Sequence, residues 1–268
     1  MLYSTAPRPP RRPASSPEVP PIANEPKHPL PAPRLPPQYE LHRPARGGDV
    51  LAEAGRLARD GAEEGTLVWS DAADDGFRVA LVLRPERPAE RVLQLVYVAL
   101  MSLGRSVAEL LPWPMAMRFR WPGRLLLGDD EVGRVGVLYP GSPGEVPDWL
   151  VLDLALEPHV PCRDDDALPG ESAPPAQRLL ERFARHFLAG INRWDGDGFA
   201  TIRREWLTSA EEVGDPVAIV LAERRVRGTF VDIDGDGALV VDDAGRRSRV
   251  PLSAAFPPRP TSEAPPDR

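Results

Sequence analysis

Residues 120–135 read RWPGRLLLGDDEVGRV. Just ahead of and into this stretch, Met117, Phe119 and Trp121 alternate with Arg118 and Arg120. A strand therefore sends the two arginines to one face and the large apolar groups to the other. Pro122 and Gly123 disturb the extended run, RLLLG resumes it, Gly128-Asp129-Asp130 reverses the chain, and EVGRVGVLY returns as the partner strand. The hairpin carries Arg120, Arg124, Glu131 and Arg134, charged groups that invite a chemical reading.

Working outward, WLVLDLAL (149–156) is a strand whose nearly continuous apolar pattern predicts burial on both faces. Upstream, the alanine-rich segment 50–59 predicts a helix ending before Asp60 and Gly61. TLVWS (66–70) and FRVALVLRP (77–85) predict two strands of a hairpin around the polar loop DAADDG. Pro88 starts a helix over 89–103 that Gly104 ends or interrupts, its apolar face covering a sheet. Downstream, Leu180, Phe183, Phe187 and Ile191 recur at helical spacing over 176–194, Asp195-Gly196-Asp197-Gly198 closes that helix, and 201–207 forms a shorter one. From 213 to 256 short β-rich runs separated by polar turns predict a small barrel, whose closure would remove its sheet edges. The sum is an α+β protein built on a mixed sheet packed with helices.

With 268 residues, 42% of them hydrophobic, the chain can bury a core and carry a small second module. A net charge of -7, from 33 basic and 40 acidic side chains, argues against a nucleic-acid partner, whose phosphates need concentrated positive charge. The longest apolar run, Val92 to Leu103, falls short of the roughly 20 residues that span a bilayer, so no membrane partner is expected. Arg8, Arg11 and Arg12 precede no apolar segment, which argues against a secretory signal, and the single cysteine, Cys162, fits a reducing cytoplasm. Residues 1–37 hold 13 of the 34 prolines and read as a disordered tail, with 257–268 as another, leaving domains over 38–212 and 213–256.

The order of these elements around RWPGRLLLGDDEVGRV resembles the biotin/lipoate protein ligase family, in a divergent branch. The resemblance extends to WLVLDLAL, to RFARHFLAGINRWDGDGFATIRREWL and to the terminal β-rich module, covering roughly residues 40–256. It implies a ligase-like mixed sheet followed by a small SH3-like β-barrel. It also implies activation of a small carboxylic acid by ATP and magnesium, with transfer of the acyl group to a lysine of a carrier protein; biotin and lipoate are the family's acids. In a typical member the hairpin reads lysine-tryptophan-proline-asparagine-aspartate, then returns with a catalytic lysine and a glycine-rich strand. Here Trp121 and Pro122 remain, Arg120 stands at the first lysine, Gly123 and Arg124 replace asparagine-aspartate, Glu131 stands at the catalytic lysine, and Arg134 occupies a usual glycine.

The family's glycine- and arginine-rich loop is matched by SDAADDG, whose Asp71, Asp74 and Asp75 repel phosphate when ionised. The small-residue strand that usually ends in asparagine is matched by Asp153, Ala155 and Glu157. These departures argue against ordinary biotin ligation. If acyl-activating chemistry persists, Arg118 or Arg120 holds a carboxylate, Arg124 or Arg134 contacts phosphate, and Asp153 or Glu157 acts through magnesium or polar contacts. On that basis Arg120, Arg124 and Glu131 are the candidate catalytic residues, and Arg118, Trp121, Arg134, Asp153 and Glu157 the candidate ligand-binding ones. The competing readings are local ion pairs, such as Arg124 with Asp129 or Asp130 and Glu131 with Arg134, and a noncatalytic module that recognises an acyl metabolite or carrier partner.

Other local signals point to structure. DIDGDG from Asp232, with Asp243 twelfth, imitates a calcium loop but is flanked by strand patterns and lacks the final glutamate. It reads as a turn, and no metal site is assigned. His186 has no nearby nucleophile, and the closeness of His159 and Cys162 in PHVPCRDDD lacks a third positioned group.

Overall fold

Alternating strands of the kind found in the hairpin build one seven-stranded sheet. Its members are β1 (Glu40–His42), β2 (Thr66–Ser70), β3 (Phe77–Leu83), β4 (Met117–Arg120), β5 (Arg124–Leu127), β6 (Asp130–Leu138) and β7 (Leu150–Leu156). They lie in the order β1-β2-β3-β7-β6-β5-β4, parallel between β1 and β2 and antiparallel elsewhere. The computed structural model describes residues 32–45, 48–70, 76–158, 160, 175–221 and 225–259.

One face of the sheet is covered in part by α1 (Val50–Arg59). Asp49 caps this helix by accepting the N–H of Ala52 at 2.6 Å, and Arg56 and Arg59 in its last turn complement the helix dipole. Val50, Ala54 and Ala58 pack on Val68, Ala80, Val82, Leu138 and Val151, a small separate core. The other face carries α2 (Ala89–Val92), α3 (Leu95–Ala108), α4 (Pro175–Asp197) and α5 (Phe199–Thr208). Nearly every side chain of α3 is buried there, so the apolar run of the sequence is the hub of the main core. β7 feeds both cores, Val151 to one and Leu150, Leu152, Leu154 and Leu156 to the other, as its unbroken apolar pattern implies.

Several boundaries move for physical reasons. The helix expected over 89–103 breaks at Leu93-Gln94 and then runs through Gly104 to Ala108. Gly104 serves packing and does not terminate the helix, because a Cβ there would lie 3.1 Å from the Phe119 ring. The long helix α4 continues past Asp195-Gly196, and the chain turns only at Gly198, whose φ of +76° suits glycine. β3 stops at Leu83, ahead of Pro85, which has no N–H to donate.

The terminal module corrects the expectation of a closed SH3-like β-barrel. Strands β8 (Pro216–Val220), β9 (Arg225–Ile233), β10 (Leu239–Asp243) and β11 (Arg246–Val250) form an open four-stranded sheet in the order β11-β10-β9-β8, followed by α6 (Leu252–Ala255). Closure is unnecessary because Phe230, Ile233, Val241, Val250 and Leu252 bury their side chains in the main core. The edges are blunted by charge and proline: β11 exposes Arg246, Arg247 and Arg249, and β8 begins with Pro216.

Candidate functional site

Strand register draws a single line of side chains across the sheet. Ser70, Arg78, Ala155, Arg134, Arg124 and Arg120 stand directly opposite one another on β2, β3, β7, β6, β5 and β4. Alternation puts this row on the face that α1 covers, but α1 packs mainly over β2, β3 and β7 and reaches β6 through Leu138. Neighbouring strands lie about 4.8 Å apart, so Arg78 and Arg134 flank Ala155 from roughly 10 Å across. The methyl of Ala155 leaves the floor between them low.

A bulge makes the row possible. The β5–β6 register shifts between Leu125 and Leu126, and both Val132 and Gly133 then face the main core. Glu131 and Arg134, three residues apart, consequently share the arginine face, where strict alternation would have separated them. Gly123 permits the approach of β6 to the turn, since a Cβ there would sit 2.5 Å from the Val135 carbonyl oxygen.

Arginines directly opposite one another repel, and each is balanced by a carboxylate. Arg124 donates to Glu131 at 2.8 Å, with both side chains substantially exposed. Glu131 also lies 3.9 Å from Arg120. Arg120 is held more firmly, by Glu211 at 2.9 and 2.7 Å and Glu212 at 3.4 Å. Arg118 donates to the Gly128 carbonyl at 2.7 Å, pairs with Asp129, and lies 3.5 Å from Glu211. The carboxylate that Arg118 and Arg120 share is thus the chain's own, on the segment leading to the terminal sheet. That segment is laced to the β4 edge by Phe119 N–H to Ser209 carbonyl at 2.9 Å and Glu211 N–H to Phe119 carbonyl at 2.8 Å.

Asp153 is the buried member, 5% exposed, next to the row on β7. Burial raises its carboxyl above the usual range, against the pull of Arg134, whose guanidinium donates to it at 3.2 Å, and of Arg78. Gly136 faces Asp153 and Arg134 and leaves them room. Arg78 is exposed and makes no hydrogen bond or salt bridge among the described residues; its interaction with Asp153 acts through space. The sequence singled out neither Arg78 nor Glu211, because cross-strand register is needed to bring them to the hairpin.

The remaining candidates lie elsewhere. Trp121, joined to Pro122 by a cis peptide, is buried in the main core on the opposite face from the row. Glu157 is exposed just past β7, its backbone N–H bonded to the Val132 carbonyl at 2.8 Å. The local pair of Arg124 with Asp129 or Asp130 gives way to Arg124–Glu131, and Arg134 turns to Asp153 and not to Glu131. His186 pairs with Glu109 at 2.9 Å. In the DIDGDG turn, Asp232 pairs with Arg203 and Asp234 with Arg249. Asp71, Asp74, Asp75, His159 and Cys162 lie outside the described residues.

The row brings together three guanidinium groups, Arg78, Arg134 and the loosely held Arg124, that could meet an anion. For magnesium, no group of three or more His, Cys, Asp or Glu among the described residues is arranged to hold a metal, so phosphate and water would have to supply most of the ion's ligands.

Comparison with known proteins relates the chain, over most of its length, to known sequences and structures. Residues 213–255 match the biotin protein ligase C terminal domain. The biotin--[acetyl-CoA-carboxylase] ligase of Paracoccus denitrificans is 28% identical over 190 residues, 67% of this chain and 79% of the relative. Among solved structures, a biotin protein ligase-like protein of unknown function from Silicibacter sp. TM1040 aligns with a TM-score of 0.71 at 30% identity, over 84% of this chain and 99% of its own. The biotin protein ligase of Aquifex aeolicus shares the fold, with a TM-score of 0.57 at 15% identity over 74% and 89% of the two chains. The model of the biotin/lipoate A/B protein ligase family matches residues 35–208, from just ahead of β1 to the end of α5, and the chain belongs to that family.

Proposed function

We propose that the chain activates a small carboxylic acid with ATP on the arginine row and passes the acyl group to a lysine amine of a carrier protein. In the first step a carboxylate oxygen attacks the α-phosphorus and pyrophosphate leaves. In the second the amine nitrogen attacks the acyl carbon, AMP leaves, and a proton is lost from nitrogen. Both reactants of the first step are anions, so the site must supply positive charge where they meet.

The observation that carries this reading is the Arg78–Ala155–Arg134 cradle, with a guanidinium on one side that makes no hydrogen bond or salt bridge among the described residues and a low floor between. Among the described residues Arg78 has no hydrogen bond or salt bridge to give up when it receives phosphate or carboxylate. Arg134 is aimed by Asp153. Arg124 can exchange Glu131 for an incoming anion, because an exposed pair of this kind holds by only about 0–1 kcal/mol. Arg118 and Arg120 fix β4 to the downstream segment and so hold the hairpin's shape.

Ordinary biotin ligation fits less well. Glu131, an anion, stands where the family's catalytic lysine belongs, and no charge reversal preserves that donor. The name of the Paracoccus relative still makes biotin the first acid to try. Acid-dependent ATP–pyrophosphate exchange by the full chain, over a panel containing biotin, lipoate and medium-chain acids, tests the proposal. Exchange is expected with at least one acid, falling about 10- to 100-fold in Arg78→Ala and Arg124→Ala, the worth of one charge-assisted hydrogen bond. Absence of exchange with every acid, or exchange unchanged in both variants, overturns it. Acid binding without exchange would assign a noncatalytic recognition role.

A further inference from the structure

On the opposite side of the sheet a cleft of about 630 Å³ opens between α4 and the end of β3. That volume is in the range of small-molecule sites. Its floor is aliphatic, with Leu81, Leu83 and Leu95, and Phe187 and Ile191 of α4 form one wall. Tyr39, Glu64 and Glu86 stand among the polar lining.

The charges of this cleft are unequally committed. Arg84 donates to the carbonyls of Ala58, Ala62 and Asp148 at 2.9 Å. Arg87 pairs with Asp195 and stacks 4.7 Å from the Trp194 ring. Both cations are therefore occupied by the protein. Glu64 and Glu86, in contrast, make no side-chain hydrogen bond or salt bridge among the described residues. They lie close enough that burial first, and the Glu86 charge second, push the Glu64 carboxyl upward. Burial and Glu64 together keep the Tyr39 hydroxyl protonated, so it remains a hydrogen-bonding group. An aliphatic slot with two carboxylates that have no ion-pair partner among the described residues selects a ligand that is apolar along its body and positive at one end.

We propose that this cleft binds a small amphipathic cation, a primary ammonium on an aliphatic chain, with the chain over Leu81, Leu83 and Leu95 and the ammonium between Glu64 and Glu86. The ligand neutralises a repulsion that the protein leaves open, and Tyr39 offers its hydroxyl oxygen to the ammonium. The arginine row lies across the sheet, so this site is independent of the acyl-activation reading.

The test uses n-hexylammonium with the full chain and no nucleotide, followed by ligand-observed NMR and thermal shift. Hexylammonium is expected to bind and to raise Tm, while hexanoate and hexanol, of the same length, bind at least tenfold more weakly. Glu64→Gln and Glu86→Gln, both at exposed positions, are each expected to weaken hexylammonium about tenfold. Ile191→Trp, which fills the wall, should abolish binding, and the two Gln variants guard against its misfolding. Equal binding of the three probes, unchanged affinity in both Gln variants, or no hexylammonium binding overturns the proposal. Nα-acetyl-lysine methylamide binding more tightly than hexylammonium would also overturn it, by assigning the cleft to a protein lysine.

Discussion

How readily a guanidinium meets a ligand depends on the carboxylate that already holds it. Arg124 and Glu131 are 45% and 41% exposed, so Arg124→Ala should shift unfolding free energy by under about 1 kcal/mol while exchange activity falls. Glu211 is only 16% exposed and takes two close contacts from Arg120. Arg120→Ala should therefore cost about 1–3 kcal/mol in urea unfolding, the penalty of a half-buried carboxylate left short of donors. Equal costs for the two variants would contradict this division between a ligand-facing and a structural arginine. Asp153 adds a pH signature. Because burial raises its folded-state pKa, the folded protein keeps the proton to higher pH than the unfolded chain, which titrates near about 3.9. Stability conferred through Asp153 thus falls as pH rises from there through the raised value, and stays lowered above it. Relative to wild type, Asp153→Asn should gain stability across that window; parallel stability–pH curves would refute the assignment.

Elements are joined by close approaches as much as by apolar area. A Cβ on Gly190 of α4 would come 2.6 Å from Val98 Cγ1 of α3, and valine has little rotamer freedom with which to yield. Gly190→Ala should lose about 1–3 kcal/mol despite its better helix propensity, as measured by the denaturant midpoint. What could be read at this scale followed from local composition and turn signals: α1 over 50–59 coincides with the alanine-rich segment that ends before Asp60 and Gly61, and β2 over 66–70 with the run TLVWS. What escaped depended on neighbours far along the chain. The bulge that turns Glu131 and Arg134 to one face is set by β5–β6 register, and the open terminal sheet by the core that covers its apolar face. Neither partner is visible in local sequence, and the terminal module's short β-rich runs between polar turns suggested a barrel.

Across the whole molecule, the terminal sheet is tied to the seven-stranded domain at buried points. The Tyr97 hydroxyl donates to the Gly237 carbonyl at 2.6 Å, and Arg203 donates to the Ile233 carbonyl. Tyr97→Phe should lower stability by about 1 kcal/mol. Tryptophan fluorescence and far-UV circular dichroism should report one shared unfolding midpoint; separate midpoints would contradict a joint core. The family was legible from the hairpin and the order of elements, whereas the cradle was not, because Arg78 reaches it only through β7. Native mass spectrometry of the full chain, incubated with ATP and an acid active in exchange, tests most directly whether that cradle performs the activation. The wild-type protein should retain the acyl-adenylate mass and Arg78→Ala should not, at equal thermal stability. Equal retention by both proteins, or no nucleotide-dependent mass in either, would contradict the account.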